Sequence, residues 1–175
     1  MKNFLLFVFL TTIASATTII PVSVERLAGE STQVVEGRVI STDSKWNPQH
    51  TLIFTYTKFQ VAKTLKGSPQ SSFTVKQIGG SAEGYTQKVA GVRYGKPGEQ
   101  SVLFLRPSST QDGTFEITGL MQGNFTILKA ASGESLVTNG VPGVSSYQQG
   151  STGEYTGTHM KLQELENRVL KMVQP

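Results

Sequence analysis

The chain holds two histidines, His50 and His159, and no cysteine. That inventory bounds its chemistry. A hydrolytic centre needs a nucleophile, a base within hydrogen-bond reach and donors for an oxyanion. No Gly-x-Ser-x-Gly elbow is present, and neither histidine has an acidic neighbour at a recognised spacing. A catalytic zinc takes three protein ligands, and no His-x-x-x-His pair exists to supply two of them. Without cysteine there are no disulfides, thiolate metal sites or thiol nucleophiles. Gly79-Gly80 leads into Ser81-Ala82-Glu83-Gly84-Tyr85 rather than a Lys-Ser/Thr phosphate cradle. Asp43 and Asp112 stand apart, so no calcium loop of the Asp-x-Asp-x-Asp-Gly kind is expected. The reading is a non-catalytic protein without a cofactor or metal. A Ser/His/Asp arrangement assembled from distant positions is the remaining enzymatic alternative.

Binding chemistry is better represented. Trp46-Asn47-Pro48-Gln49-His50 carries the only tryptophan. Trp46, Asn47 and His50 could together stack on a sugar or grip a peptide. The alternative is that Trp46 plugs a barrel end while Asn47-Pro48 makes a turn. Tyr85, Arg93 and Tyr94 form a second cluster in segment 79–95. That segment is long for a connection, and long loops in compact domains tend to carry function. Its alternative is a β-arm packed across the barrel.

The elements that must position these residues are strands. Val34–Thr42, Leu52–Thr64 and Ser72–Ile78 alternate or are rich in β-branched and aromatic residues. Gly37 inside the first predicts a bend or a close backbone approach. Lys66-Gly67-Ser68-Pro69 and Gly79-Gly80 punctuate them. Ser101–Leu105 is a continuous apolar run, the pattern of a buried central strand. Asp112-Gly113 and Ala131-Ser132-Gly133 predict two further hairpins. No helical stretch separates the strands, so parallel βαβ units are not expected. The fold class is mainly β. The expectation is a small antiparallel OB-like barrel with a short N-terminal helix, capped by Ser23, and a C-terminal amphipathic helix. A two-sheet sandwich is the rival.

Compartment follows from the first residues. Lys2, the apolar run Phe4–Ile13 and Ala14-Ser15-Ala16 have the order of a secretory signal peptide. The run is shorter than the roughly 20 residues of a membrane span. Residues 1–16 are therefore expected to be removed, leaving 159 of 175. The expected organisation is a barrel domain over 17–139, a Gly/Ser-rich linker over 140–157 and a helix over 158–175. Within that helix, Leu162, Leu165, Val169 and Met172 share a face, Thr158 is its expected cap and His159 falls in its first turn. The face either docks on the barrel or receives a partner. An exported chain without cysteine suits a bacterial periplasm or exterior. The net charge of +4 comes from scattered residues, which argues against nucleic acid as a partner. No membrane span is expected after signal removal.

The order of these signals resembles a known family. Val34-Val35-Glu36-Gly37-Arg38-Val39, then Trp46, Leu65-Lys66-Gly67, Gly79-Gly80, Gly98-Glu99 before Leu103-Phe104-Leu105, and Gly119 with Gly123 resemble uncharacterised exported bacterial proteins. More distantly they are similar to netrin-like domains, which include the tissue inhibitors of metalloproteinases. The resemblance spans about residues 24–128 and implies a five-stranded oligonucleotide/oligosaccharide-binding-type barrel with a flanking helix. Those inhibitors chelate zinc through an N-terminal cysteine held by disulfides, whereas Thr17 would come first here. The resemblance thus implies the fold and not the inhibitory mechanism. The functional expectation is an exported binding module for a protein or an envelope glycan. The alternatives are an inhibitor or partner of an exported metalloprotease, and an enzyme of unrecognised type.

Overall fold

The computed structural model describes residues 18–141, 144–148 and 151–173. Residues 1–16, read as a signal segment, lie outside the described residues. After β1 (Thr18–Ile19), helix α1 (Val24–Glu30) begins where Ser23 accepts a hydrogen bond from the Arg26 amide. The central strands follow: β2 (Gln33–Trp46), β3 (Ile53–Lys66) and β4 (Ser72–Ile78). The short hairpin of β5 (Gly80–Ala82) and β6 (Tyr85–Gln87) leads to β7 (Gln100–Pro107) and β8 (Phe115–Ile117). Next come β9 (Asn124–Lys129) and β10 (Ser135–Thr138). The chain ends with β11 (Ser145–Gln148), β12 (Ser151–Glu154), β13 (His159–Lys161) and helix α2 (Leu162–Val173).

Five strands close on themselves in the order β2–β3–β4–β8–β7 and back to β2. Every pairing in the ring is antiparallel except β4 with β8, which meet in parallel at one bridge, Val75 to Phe115. This is the predicted small barrel, closed through that one bridge, while β9, β10 and β13 extend the sheet outward from β7. One edge of β7 serves two partners. β8 pairs with Leu105–Pro107 and β9 with Ser101–Leu103. The turn between them rejoins the same strand, because Thr118 N–H donates to Phe104 O and Phe104 N–H to Gly123 O.

Burial of both faces explains why the Val102–Leu105 run is apolar without alternation. Val35, Val39, Phe59, Phe73, Val75, Leu103, Leu105 and Ile117 fill the barrel interior. Val34, Leu65, Val102, Phe104 and Phe125 instead face the helices, against Val24, Leu27, Leu165 and Val169. β2 and β7 therefore bury both faces. Val61 is only partly buried, next to the irregular pairing around Gly37. At Gly37 a β-carbon would stand 3.3 Å from the Gln60 carbonyl and 3.3 Å from Phe59 Cβ, the predicted close approach.

Two local expectations change. The 140–157 stretch, read as a linker, holds the β11–β12 hairpin, and β11 pairs in parallel with β1. Val144 and Tyr155 bury themselves against Met121 there. Helix α2 starts at Leu162 rather than Thr158, because His159–Lys161 pair with β10 as β13. His159 is thus a strand residue and Thr158 caps nothing. The helix docks, with Leu165 and Val169 fully buried and the Arg168 guanidinium bidentate on Glu25 at 2.7 and 2.9 Å. Met172 is left 50 % exposed. Among the described residues no helix is long and apolar enough to cross a membrane.

Candidate functional site

Past its pairing with β7, β2 continues with β3 and β4 as a three-stranded arm in which Phe54 still faces Ile78, and Trp46 closes it by pairing with Ile53. The loop beyond is built by Asn47. Its Oδ1 accepts from the Thr51 amide at 2.8 Å and the Leu52 amide at 3.1 Å, and its Nδ2 donates to Thr51 Oγ1 at 2.9 Å. The Asn47 side chain is thereby committed to the turn. His50 adopts a left-handed backbone, φ 53°, and this lays its ring on Trp46. The two rings stack with centroids 5.4 Å apart and planes 18° apart.

Tyr85 reaches the same indole from the β5–β6 hairpin, edge-on at 5.6 Å, and stays 65 % exposed. The hairpin is pinned to the arm. Gly79 N–H donates to Ile53 O at 2.7 Å, Ile53 N–H to Gln87 Oε1 at 2.9 Å and Thr55 Oγ1 to Gly79 O at 2.7 Å. Gly80 permits this approach: its φ is 124°, and a β-carbon there would run into the Thr55 and Ser44 hydroxyls. Trp46 itself is half-buried, and its Nε1 is buried without a hydrogen-bond partner. An unpaired buried donor costs on the order of 1–3 kcal/mol.

Behind the hairpin lies a groove of about 780 Å³ whose walls carry Ser44, Thr55, Ser81, Thr86, Gln87 and Tyr94. Tyr94 donates its hydroxyl to Ile78 O at 2.8 Å, and burial pushes its pKa above the ordinary value. Arg93 goes elsewhere. Its guanidinium lies 3.5 Å from Asn124 Oδ1 and 3.8 Å from Glu99, and burial lowers its pKa despite that carboxylate. Of the six residues singled out by sequence, the fold joins Trp46, His50 and Tyr85, sets Tyr94 in the adjoining groove, and gives Asn47 and Arg93 other contacts.

A second cavity, of about 340 Å³, was not anticipated. It opens where β4 and β8 part, and Phe54, Lys76, Arg106 and Glu116 line it. Nothing in the sequence signals it, because it is a gap between strands distant in the chain. Among the described residues, no three His, Asp or Glu side chains converge as a metal site would require.

No protein-family model matches the chain, and no curated protein matches it in sequence.

Proposed function

We propose that the protein is an exported, non-catalytic binding module that recognises an envelope glycan or a protein segment through the Trp46 end of the arm. The observation that carries this reading is the Trp46–His50–Tyr85 set. The indole is only partly buried, stacked by His50 and met edge-on by an exposed Tyr85, while its buried N–H finds no partner. A side chain recruited only for packing gains most from full burial and a satisfied donor. Beside it, the groove sets Val89, Ala90 and Val92 next to hydroxyls and the Gln87 amide, which suits a ligand with an apolar face and a hydrogen-bonding edge.

Trp46 is the only tryptophan, so its fluorescence reports on the site directly. Titration of the secreted protein with fractionated envelope glycans and envelope proteins should shift or quench that emission. Tyr85→Ala should weaken the response at least tenfold while the thermal midpoint holds. Unchanged emission with every fraction, or equal binding by Tyr85→Ala, would overturn the reading.

A further inference from the structure

The cavity between β4 and β8 shares only Val92 with the groove near Trp46. It exists because two parallel strands touch at a single bridge and then diverge. Lys76 and Ile78 line one side, and Glu116 and Ile117 the other. The floor is apolar, built from Phe54, Ile78 and Ile117. Leu120 has a left-handed backbone, φ 62°, that leaves its side chain 54 % exposed at the rim.

The polar groups around this floor are charged but already paired. Lys76 Nζ lies 3.0 Å from Asp112 Oδ2, 3.1 Å from Thr110 Oγ1 and 4.9 Å above the Phe54 ring. The Arg106 guanidinium lies 3.5 Å from Glu116 Oε2. Glu116 Oε1 accepts from the Ser108 hydroxyl at 3.0 Å and the Ser109 amide at 3.2 Å. An ionic ligand would have to break one of these pairs. A wholly apolar ligand would press hydrocarbon onto these charged pairs and strip them of water. What matches is a neutral molecule with an apolar face and a hydroxyl-bearing edge. The volume sits at the small end of the roughly 300–1,000 Å³ of ligand cavities, which favours a ring of sugar size over a protein loop.

We infer that this seam binds one unit of a neutral glycan, with Phe54, Ile78 and Leu120 against its apolar face and Lys76, Arg106 and Glu116 hydrogen-bonding its hydroxyls. The inference rests on the binding-module reading and gives it a ligand class and a second point of contact.

An array of neutral, uronic-acid and sulfated glycans, followed by calorimetric titration of the best neutral ligand, tests it. Neutral glycans should bind, with little dependence on salt because no net charge is neutralised. Phe54→Leu keeps the apolar volume and removes the ring, and it should cost at least about tenfold in affinity. Glu116→Gln should do the same. Met172→Ala, at an exposed position of α2 that lines neither cavity, should leave a monosaccharide's affinity within about twofold. Exclusive binding of acidic glycans, strong salt dependence or native affinity in Phe54→Leu would overturn the inference. Loss in Trp46→Ala alone ends it and leaves the Trp46 reading standing. Binding of envelope proteins but of no glycan does likewise. A melt of each variant separates lost contact from lost fold.

Discussion

Glu36 of β2 faces Glu166 of α2 across the contact between barrel and helix, and a single ammonium serves both. Lys63 Nζ lies 2.8 Å from Glu166 Oε1 and 3.9 Å from Glu36 Oε1. The Glu36 side chain is only 16 % exposed. Burial, then the neighbouring Glu166 carboxylate, push Glu36 up to about 7, against 4.5 when unperturbed. Glu166 moves below its ordinary value, with Glu36 the largest cause and Lys63 adding to it. The pair therefore holds one proton between its two carboxyls.

A pH dependence follows. Between about 4.5 and 7 the folded protein keeps the Glu36 proton and the unfolded chain has lost it. The native state binds more protons there, so this contribution is full at the acid end and fades as pH rises through about 7. The Glu25 carboxyl, drawn down to about 2 chiefly by Arg168, acts oppositely and only below about 4.5. Urea melts should thus show stability falling from pH 5 to 8. Glu36→Gln should flatten that slope, and a variant with the native slope would refute the shared proton.

Phe59 should carry much of the barrel's stability. It is 2 % exposed and packs inside the barrel. Phe59→Ala removes a large apolar side chain and leaves a cavity, at a cost of roughly 3–5 kcal/mol. A loss below about 1 kcal/mol in urea would contradict its inward register.

Trp46→Ala should be milder. The indole is half-buried, and its two ring contacts are each worth about 0.5–1.5 kcal/mol. The thermal midpoint should fall by about 2–12 °C, since each kcal/mol moves a domain of this size by about 2–4 °C. A larger drop would make Trp46 a structural plug and remove it from the binding site.

Gly80→Ala should lift the β5–β6 hairpin. A methyl group at φ 124° meets the hydroxyls of Thr55 and Ser44, and such strain costs roughly 1–3 kcal/mol. Tyr85 should then leave Trp46, seen as a red shift of the indole emission. Native emission would show that the hairpin tolerates the side chain.

Export should be visible chemically. Cleavage after Ala16 predicts that secreted protein begins Thr17-Thr18-Ile19, because small residues fit the peptidase. Edman sequencing that starts at Met1 on exported protein would remove the signal reading.

Much of the barrel was legible in the chain. Alternation sends Val35, Val39, Phe59 and Val75 to one face of their strands, and a strand has a period of two wherever it lies. Ser23 acts through its side chain on the next turn and Asp112-Gly113 through its own backbone, so their roles are local and readable, and a glycine inside a strand, as at Gly37, marks a close approach. The hairpin within 140–157 was not readable. Its Gly, Ser and Gln residues have no periodicity, and β11 is held by pairing with β1, more than a hundred positions earlier.

The sites divide the same way. Residue types and their nearness in the chain singled out Trp46 with His50, and the fold keeps them together. Tyr85 joined them only because Gly80 lets a distant hairpin lie against the arm. Arg93 next to Tyr94 could not be separated from it in sequence, yet its guanidinium turns to Asn124 and Glu99. The β4–β8 cavity was wholly out of reach. It is a gap between strands some forty residues apart, and its shape depends on how two parallel strands diverge after one bridge. Period and turn chemistry are properties of neighbouring residues. Which side chains face one another across a gap is a property of closure, and closure is decided only when the whole barrel has packed.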